Sequence, residues 1–290
     1  MAITPRGLLV PGPQARPSRY GLFSVAQQGN TSDGHWQAGL EFEDILCGDI
    51  GSTLPHCGDP SPDPAAKEAE PGPLVRNVDP FTLFGSYTCS TGGRRAQDAF
   101  DIARARLAAR EEQGAERALW TGITPDGLLS SSLAYGDDEL SVDDLTGVGG
   151  AYDPITALDV LEEAMGTCVA GAGVIHVPYR AASTLASQNL VVRDGDGMYT
   201  HTGQSVVFGA GYPGTGPSNS PVSDGEAWLF GTGQVMLWRG DAFLTPATLG
   251  EAMDRTINDV TVYAERTYAV GFSCCLFAVR MFLSCCTGGG

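Results

Sequence analysis

Residues 96–129, AQDAFDIARARLAAREEQGAERALWTGITPDGLL, constrain this chain more than any other stretch. Phe100, Ala103, Leu107, Ala115, Ala118 and Leu119 recur at helical spacing among strong helix formers, with no proline and Gly114 as the one internal glycine. Thr91 or Asp98 can cap the start, and Gly122 stands where a helix ends in a left-handed residue, just before a Pro-Asp-Gly turn. The spacing predicts one long amphipathic helix. Its outer face is expected to mix Arg104, Arg106, Arg110 and Arg117 with Glu111, Glu112 and Glu116. A solitary long helix placed early, before a β-rich remainder, has to bury its apolar stripe across its own sheet.

The flanking segments read as different kinds of chain. Residues 1–35 are proline-rich and short of periodic apolar residues, which predicts an extended arm. Residues 36–47 and 75–89 have strand character. Between them, residues 48–73 are a Pro/Asp/Gly/Ser tract that builds neither strand nor stable helix, so the pair describes a protruding, hairpin-like loop. Beyond the long helix comes an acidic loop with Asp137, Asp138, Glu139, Asp143 and Asp144. A second helix follows, with Asp153 as N-cap, Pro154 at N1, an apolar stripe of Ile155, Leu158, Leu161, Ala164 and Met165, and its end at Gly166. The remaining pattern predicts a buried strand at 173–178, a helix over 179–188 and strands at 198–202 and 204–208. It continues with a hairpin at 227–240, a short helix near 249–257 and closing strands at about 260–272 and 275–283.

Composition narrows the function classes. Of the 290 residues, 42% are hydrophobic and only 18% charged, with 39 Gly and 18 Pro, a profile of many turns and of large surfaces that are neither charged nor fully exposed. The net charge of −17 leaves no basic stripe to displace phosphate counterions and argues against a nucleic-acid reader. The first residues hold no continuous apolar run, so no signal peptide is expected. The most apolar tract, 269–286, is interrupted by Arg280 and reads as two strands rather than a membrane span. The eight cysteines form no C-x-x-C and are expected as thiols, with one of each adjacent pair, Cys274-Cys275 and Cys285-Cys286, facing inward as a small hydrophobe.

The motifs that suggest chemistry fail one by one. Gly209, Gly211 and Gly214 spell G-x-G-x-x-G after a strand, but the following TGPSNSPVSDG is loop, whereas a dinucleotide site needs a helix to start there. Asn30-Thr31-Ser32 matches a glycosylation acceptor, which carries no weight without a secretion signal. Arg193–Gly197 resembles the start of a calcium loop without its closing glutamate and reads as a hairpin turn. Cys47, His56, Cys57 and Cys89 match no zinc-finger spacing. His176, inside an apolar strand, reads as a core histidine with satisfied hydrogen bonds rather than a catalytic base. No catalytic, cofactor-binding or metal residue is therefore assigned, and no cofactor is expected.

The order of parts resembles the major capsid proteins of tailed bacteriophages, with the Hong Kong 97-type fold shared by encapsulin shells. ARARLAAREEQGAERALWTGITPDGLLSS resembles the end of that family's spine helix and the turn after it. ALDVLEEAM with GVIHVPYRAASTLASQ is similar to its axial-domain helix, strand and next helix. GQSVVFGAGYP is similar to the strand that carries G-x-P-V in the family, with Ser205 in place of the proline, and AWLFGTGQVMLWRG to a later hairpin. The resemblance covers most of residues 36–286 by layout. It implies an α+β fold divided into an N-terminal arm (1–35), an extended loop (36–90), a spine helix of the peripheral domain (91–124), an axial domain (125–248), and a return to the peripheral domain with the C-terminal strands (249–290). It implies a non-enzymatic shell subunit that self-assembles into hexamers and pentamers around double-stranded DNA, in the virion and assembled in the host cytoplasm. Scaffold, portal or decoration proteins are the further partners it suggests, with no membrane partner. A tail or connector component, an encapsulin-like nanocompartment and an intracellular enzyme around His176 are the alternatives. Some family members crosslink through a loop lysine. Lys67, the only lysine, lies beside Glu68 and Glu70 and reads as a solvated charge, while Cys47 and Cys57 could close the loop as a disulfide outside the cytosol.

Overall fold

The computed structural model describes residues 18–44, 74–90, 97–147, 150–169 and 171–283. In chain order these form β1 (Gln27–Gln28), β2 (Leu40–Asp44), β3 (Leu74–Val78), β4 (Phe81–Ser90), α1 (Gln97–Thr121), β5 (Ile123–Thr124), β6 (Gly127–Leu128) and β7 (Asp143–Asp144). Then come α2 (Pro154–Cys168), β8 (Val174–Pro178), α3 (Tyr179–Ser187), β9 (Val191–Asp194), β10 (Gly197–Thr200) and β11 (Ser205–Gly209). The last part holds β12 (Glu226–Thr232), β13 (Val235–Arg239), β14 (Phe243–Thr245), α4 (Leu249–Ala252), β15 (Met253–Asp254), β16 (Asp259–Phe272) and β17 (Leu276–Phe282). The fold is α+β.

Two sheets carry the molecule. The six-stranded sheet is built around β16, which pairs on one edge with β15, β14 and β13 in turn and on the other with β4. The seven-stranded sheet runs β7-β17-β12-β8-β11-β10-β9. Its central strand β8 is buried at every position, covered on one side by α2 and α3 and on the other by the end of α1, which explains its unbroken apolar run.

The long helix forms as expected, stopped by Gly122 at φ 65°. Over 25 residues it extends about 37 Å. Its first half packs Ala99, Phe100, Ala103 and Leu107 on Val260, Val262 and Ala264 of β16. Its second half carries Ala115, Ala118, Leu119 and Trp120 into a core shared by both sheets. Gly85 in β4 lets the helix backbone approach: a Cβ there would stand 2.5 Å from the Leu107 nitrogen and 2.8 Å from the Ala103 oxygen. Asp98 lies in the first turn, where its charge suits the helix dipole; Thr91 falls outside the described residues. Asp153 caps α2 by accepting from the Ile155 and Thr156 amides.

Several expectations need correction. The stretch 227–240 is not a hairpin. β12 pairs with β17 and β8, whereas β13 pairs with β16 and β1. The antiparallel ribbon joins β12–β13 to β16–β17, bends from one sheet into the other, and is sewn at the bend by Gly233 N–H to the Ser273 oxygen and Ser273 N–H to the Gln234 oxygen. Thr232 faces Leu276 but Val235 faces Phe272, so the 272–276 strand holds one extra residue, a β-bulge with Cys274 at φ 59°. β16 thus lies in the six-stranded sheet and β17 in the seven-stranded one. The cysteines are not all thiols, since Cys168 at the end of α2 is disulfide-bonded to Cys275 across 6.3 Å between Cα atoms. Cys274 and Cys275 lie in the bulged turn, not in a strand.

Burial and element ends also depart from expectation. Ile155 is half-exposed rather than in the apolar stripe, because α2 turns its Ala157, Leu158, Leu161 and Met165 face to the sheet. That helix also continues past Gly166 to Cys168. Glu111 and Glu116 are buried instead of lining the outer face of α1. The last part of the expected arm is packed on the body: Leu22 is fully buried and the β1 residues pair with β13; just beyond it, Trp36 is buried among residues including Trp238. The helix expected over 249–257 is only the four residues of α4, closed by a Thr248–Glu251 capping box.

Candidate assembly site: the loop root and the helix carboxylates

On either side of the expected loop, β2 and β3 form a two-stranded ladder, with Leu40 opposite Val78 and Asp44 opposite Leu74. Residues 45–73 lie outside the described residues, and with them Cys47, His56, Cys57 and Lys67. The ladder is held to the body by a buried ion cluster that sequence reasoning did not find. Arg76, 1% exposed, donates through Nη1 to both Asp137 carboxylate oxygens at 3.0 and 2.9 Å, and through Nη2 to the Cys274 oxygen at 2.8 Å. Its Nε lies 3.7 Å from Asp44 Oδ2, which accepts from the Cys274 amide at 2.5 Å. Asp137 also accepts from the Glu139 and Leu140 amides, which folds the acidic loop around the cluster. Two carboxylates around one guanidinium offset the cost of taking three charges out of water. No local signal marks this cluster, because its members come from 44, 76, 137 and 274.

A second polar set lies along α1. Glu111 accepts from Arg266 Nη1 at 2.6 Å, from Arg239 Nη2 and from the Tyr268 hydroxyl, tying the helix to β13 and β16. Burial first, and then that hydrogen bond to Glu111, raises the Tyr268 phenol. One turn on, Glu116 accepts from the Leu22 amide at 3.2 Å and the Gly211 amide at 2.8 Å, and Glu112 accepts from the Phe23 amide at 3.0 Å. Burial pushes the Glu116 carboxyl up to about 7 and raises Glu112 in the same direction. The G-x-G-x-x-G segment is explained here: Gly211 lies against the helix, where a Cβ would stand 2.8 Å from the Glu116 Cβ. No helix of eight or more residues starts at that loop among the described residues.

His176 is fully buried, with Nδ1 2.8 Å from the Tyr212 hydroxyl and Nε2 3.1 Å from Thr232 Oγ1. Thr232 donates onward to the Gly233 oxygen, so it accepts from Nε2–H, leaving Nδ1 to accept from Tyr212. Burial holds the imidazole neutral, its pKa down to about 3. It is a core histidine bonded at both nitrogens.

The outward face of the six-stranded sheet is mostly uncharged. Phe84 and Tyr263 meet edge to face at 5.8 Å between exposed rings, Phe243 lies two strands from Phe84 across Glu265, and Thr82–Thr267 and Thr88–Thr261 pair across the ladder. Ile123 and Leu128 stand opposite each other in the exposed β5–β6 hairpin. Among the described residues no group of three or more His, Cys, Asp or Glu could hold a metal, and no helix is long and apolar enough to cross a membrane. Arg104 and Arg106 are exposed, while Arg94 and Arg95 fall outside the described residues.

A two-stranded ladder followed by a long helix laid across one sheet, and a second sheet covered by two helices, give the chain the Hong Kong 97-type fold. Solved structures sharing it include the capsid of a native GTA particle, at 14% identity and TM-score 0.60, covering 97% of this chain and 95% of that one. The cyanophage Pam1 capsid is similar at 13% identity and TM-score 0.51, covering 96% of each chain. Mycobacterium phage Adephagia is similar at 15% identity and TM-score 0.52, covering 92% of this chain and 91% of that one. No family model matches the chain, and no curated protein matches it in sequence.

Proposed function

We propose that this chain is the major structural subunit of an icosahedral phage capsid, self-assembling into hexamers and pentamers around double-stranded DNA and working by geometry rather than catalysis. The observation that carries this reading is the likeness, end to end, to the capsid of a native GTA particle. A buried Arg–Asp cluster that ties the β2–β3 ladder to the body supports it, because an extended loop needs a firm root. In this reading residues 1–35 are the arm, 36–90 the extended loop, 91–124 the spine helix, 125–248 the axial part, and 249–290 the return. Scaffold, portal or decoration proteins are the further partners, and the subunit ends in the virion after assembly in the host cytoplasm. Large buried areas between copies supply stability that one subunit lacks.

Negative-stain microscopy of the purified full chain tests this. Closed shells or capsomer rings are the expected outcome. A stable, monodisperse monomer at high concentration would overturn the reading, and tubes or single rings would favour a tail or connector role instead.

A further inference from the structure

We propose that β4 is a surface through which two copies of this chain join, edge to edge and antiparallel, about a two-fold axis at Ser86. β4 runs for ten residues, Phe81–Ser90, and pairs with β16 along its whole length. Among the described residues no strand lies on its other edge. Its sequence, FTLFGSYTCS, holds no charged residue and no proline, the devices that ordinarily keep a long edge from recruiting another strand. The other edges are short. β1, β7 and β15 have two residues each and β14 has three, while β9 has four and carries Arg193 and Asp194.

The phase of the ladder decides which backbone groups of β4 face outward. The Thr267 oxygen accepts from the Gly240 amide on the β13 side of β16, so Thr267 and Thr82 form a pair without backbone hydrogen bonds. Thr82 and every second residue after it, Phe84, Ser86, Thr88 and Ser90, therefore turn N–H and C=O away from β16. The Ser86 oxygen shows the same phase, because Arg106 Nη1 reaches round from α1 and donates to it at 2.6 Å. Side chains lie closer in such pairs, as the Thr82–Thr267 and Thr88–Thr261 hydroxyls do at 3.3 and 3.0 Å.

A second copy of the same edge satisfies this pattern. Turned about an axis at Ser86, it sets Ser86 opposite Ser86, Phe84 opposite Thr88 and Thr82 opposite Ser90. These residues face outward on both copies, so each pair exchanges two backbone hydrogen bonds at about 5.5 Å between Cα atoms. An aromatic ring beside a β-branched residue, and hydroxyl beside hydroxyl, are favourable cross-strand neighbours. No charge on the strand opposes its own copy, which matters for a chain of net charge −17. Arg106 has to release the Ser86 oxygen to the other copy's amide, so this guanidinium guards the edge in the lone subunit. The choice of a second copy as occupant rests on the reading of the chain as a self-assembling subunit.

Sedimentation of the full chain over a range of concentrations tests the contact, with Ser86→Lys, Ser86→Glu and their equal mixture beside the unmodified protein. On the axis each variant opposes its own charge, so each alone should associate about tenfold more weakly, and the mixture should recover. Undiminished association of both single variants, or a loss that mixing does not restore, would overturn the contact while leaving self-assembly intact. An unmodified chain that stays monomeric would overturn both. Hydrogen exchange of the unmodified chain decides the question if a variant fails to fold. From dilute to associated protein, the outward amides of Phe84, Ser86 and Thr88 should slow about tenfold, with the inward amides of Leu83, Gly85 and Tyr87 unchanged. A slowing shared equally by both sets, or absent from the outward one, would overturn the proposal.

Discussion

Arg76 joins an acidic loop, a strand joint and the root of the protruding ladder through one planar group. Arg76→Met leaves Asp44 and Asp137 buried beside no guanidinium and is expected to cost about 3–5 kcal/mol in a denaturant titration. Lysine will not restore it, because a point charge cannot serve Asp137 and the Cys274 oxygen as a fork does. His176 gives the fold an acid limit. The folded state keeps it neutral down to about pH 3, while the unfolded chain binds a proton near the ordinary histidine value. Between these values the unfolded state holds the extra proton, so stability falls as pH drops. The expected loss is about 1.4 kcal/mol per pH unit below roughly 6, and His176→Gln should flatten that slope in melts between pH 4 and 7. Neither role was legible beforehand beyond the expectation of a core histidine. Its own strand says it is buried, but Tyr212 and Thr232 lie 36 and 56 residues away.

Elements with a strong local period were legible: α1, α2 and β8 follow from spacing and caps, and the turn between β9 and β10 from its Asp-Gly pair. Pairing was not. Gly231, Gly233 and the flanking apolar residues mimic a local turn, but every residue of β12 and β13 finds its partner in β16 or β17. A two-strand ribbon that changes sheet looks like a hairpin when only one of its strands is read. The acids of α1 were misplaced for a related reason: mixed charge on a helix ordinarily faces water, and the arginines that bury Glu111 lie 128 and 155 residues downstream. Two predictions belong here. Gly85→Ala must push α1 off the sheet by its backbone and should lower the melting temperature by several degrees, since about 1 kcal/mol shifts a domain of this size by roughly 2–4 °C. Removing the Cys168–Cys275 bond, which closes 107 residues of sequence, should cost about 2–4 kcal/mol, as a melt of Cys168→Ser against the unmodified chain will show.

At the scale of the molecule, the early long helix and the β-rich remainder could be read because each has its own composition. What joins the parts could not, because it consists of long-range contacts. The charge of −17 acts at this scale too. Copies repel one another, so assembly should be promoted as salt rises from about 10 to about 150 mM, where the screening length shortens from roughly 30 to 8 Å; light scattering reads this directly. Free subunits should show no duplex-DNA binding by anisotropy at physiological salt, whereas submicromolar binding would reveal a basic patch that the net charge hides. The bulge at Cys274 has a mechanical consequence. The ribbon changes sheet at that residue, and the loop ladder grips its amide through Asp44 and its oxygen through Arg76. Axle and crank therefore share one pin. A few degrees of flexing between the two sheets turns the ladder with them.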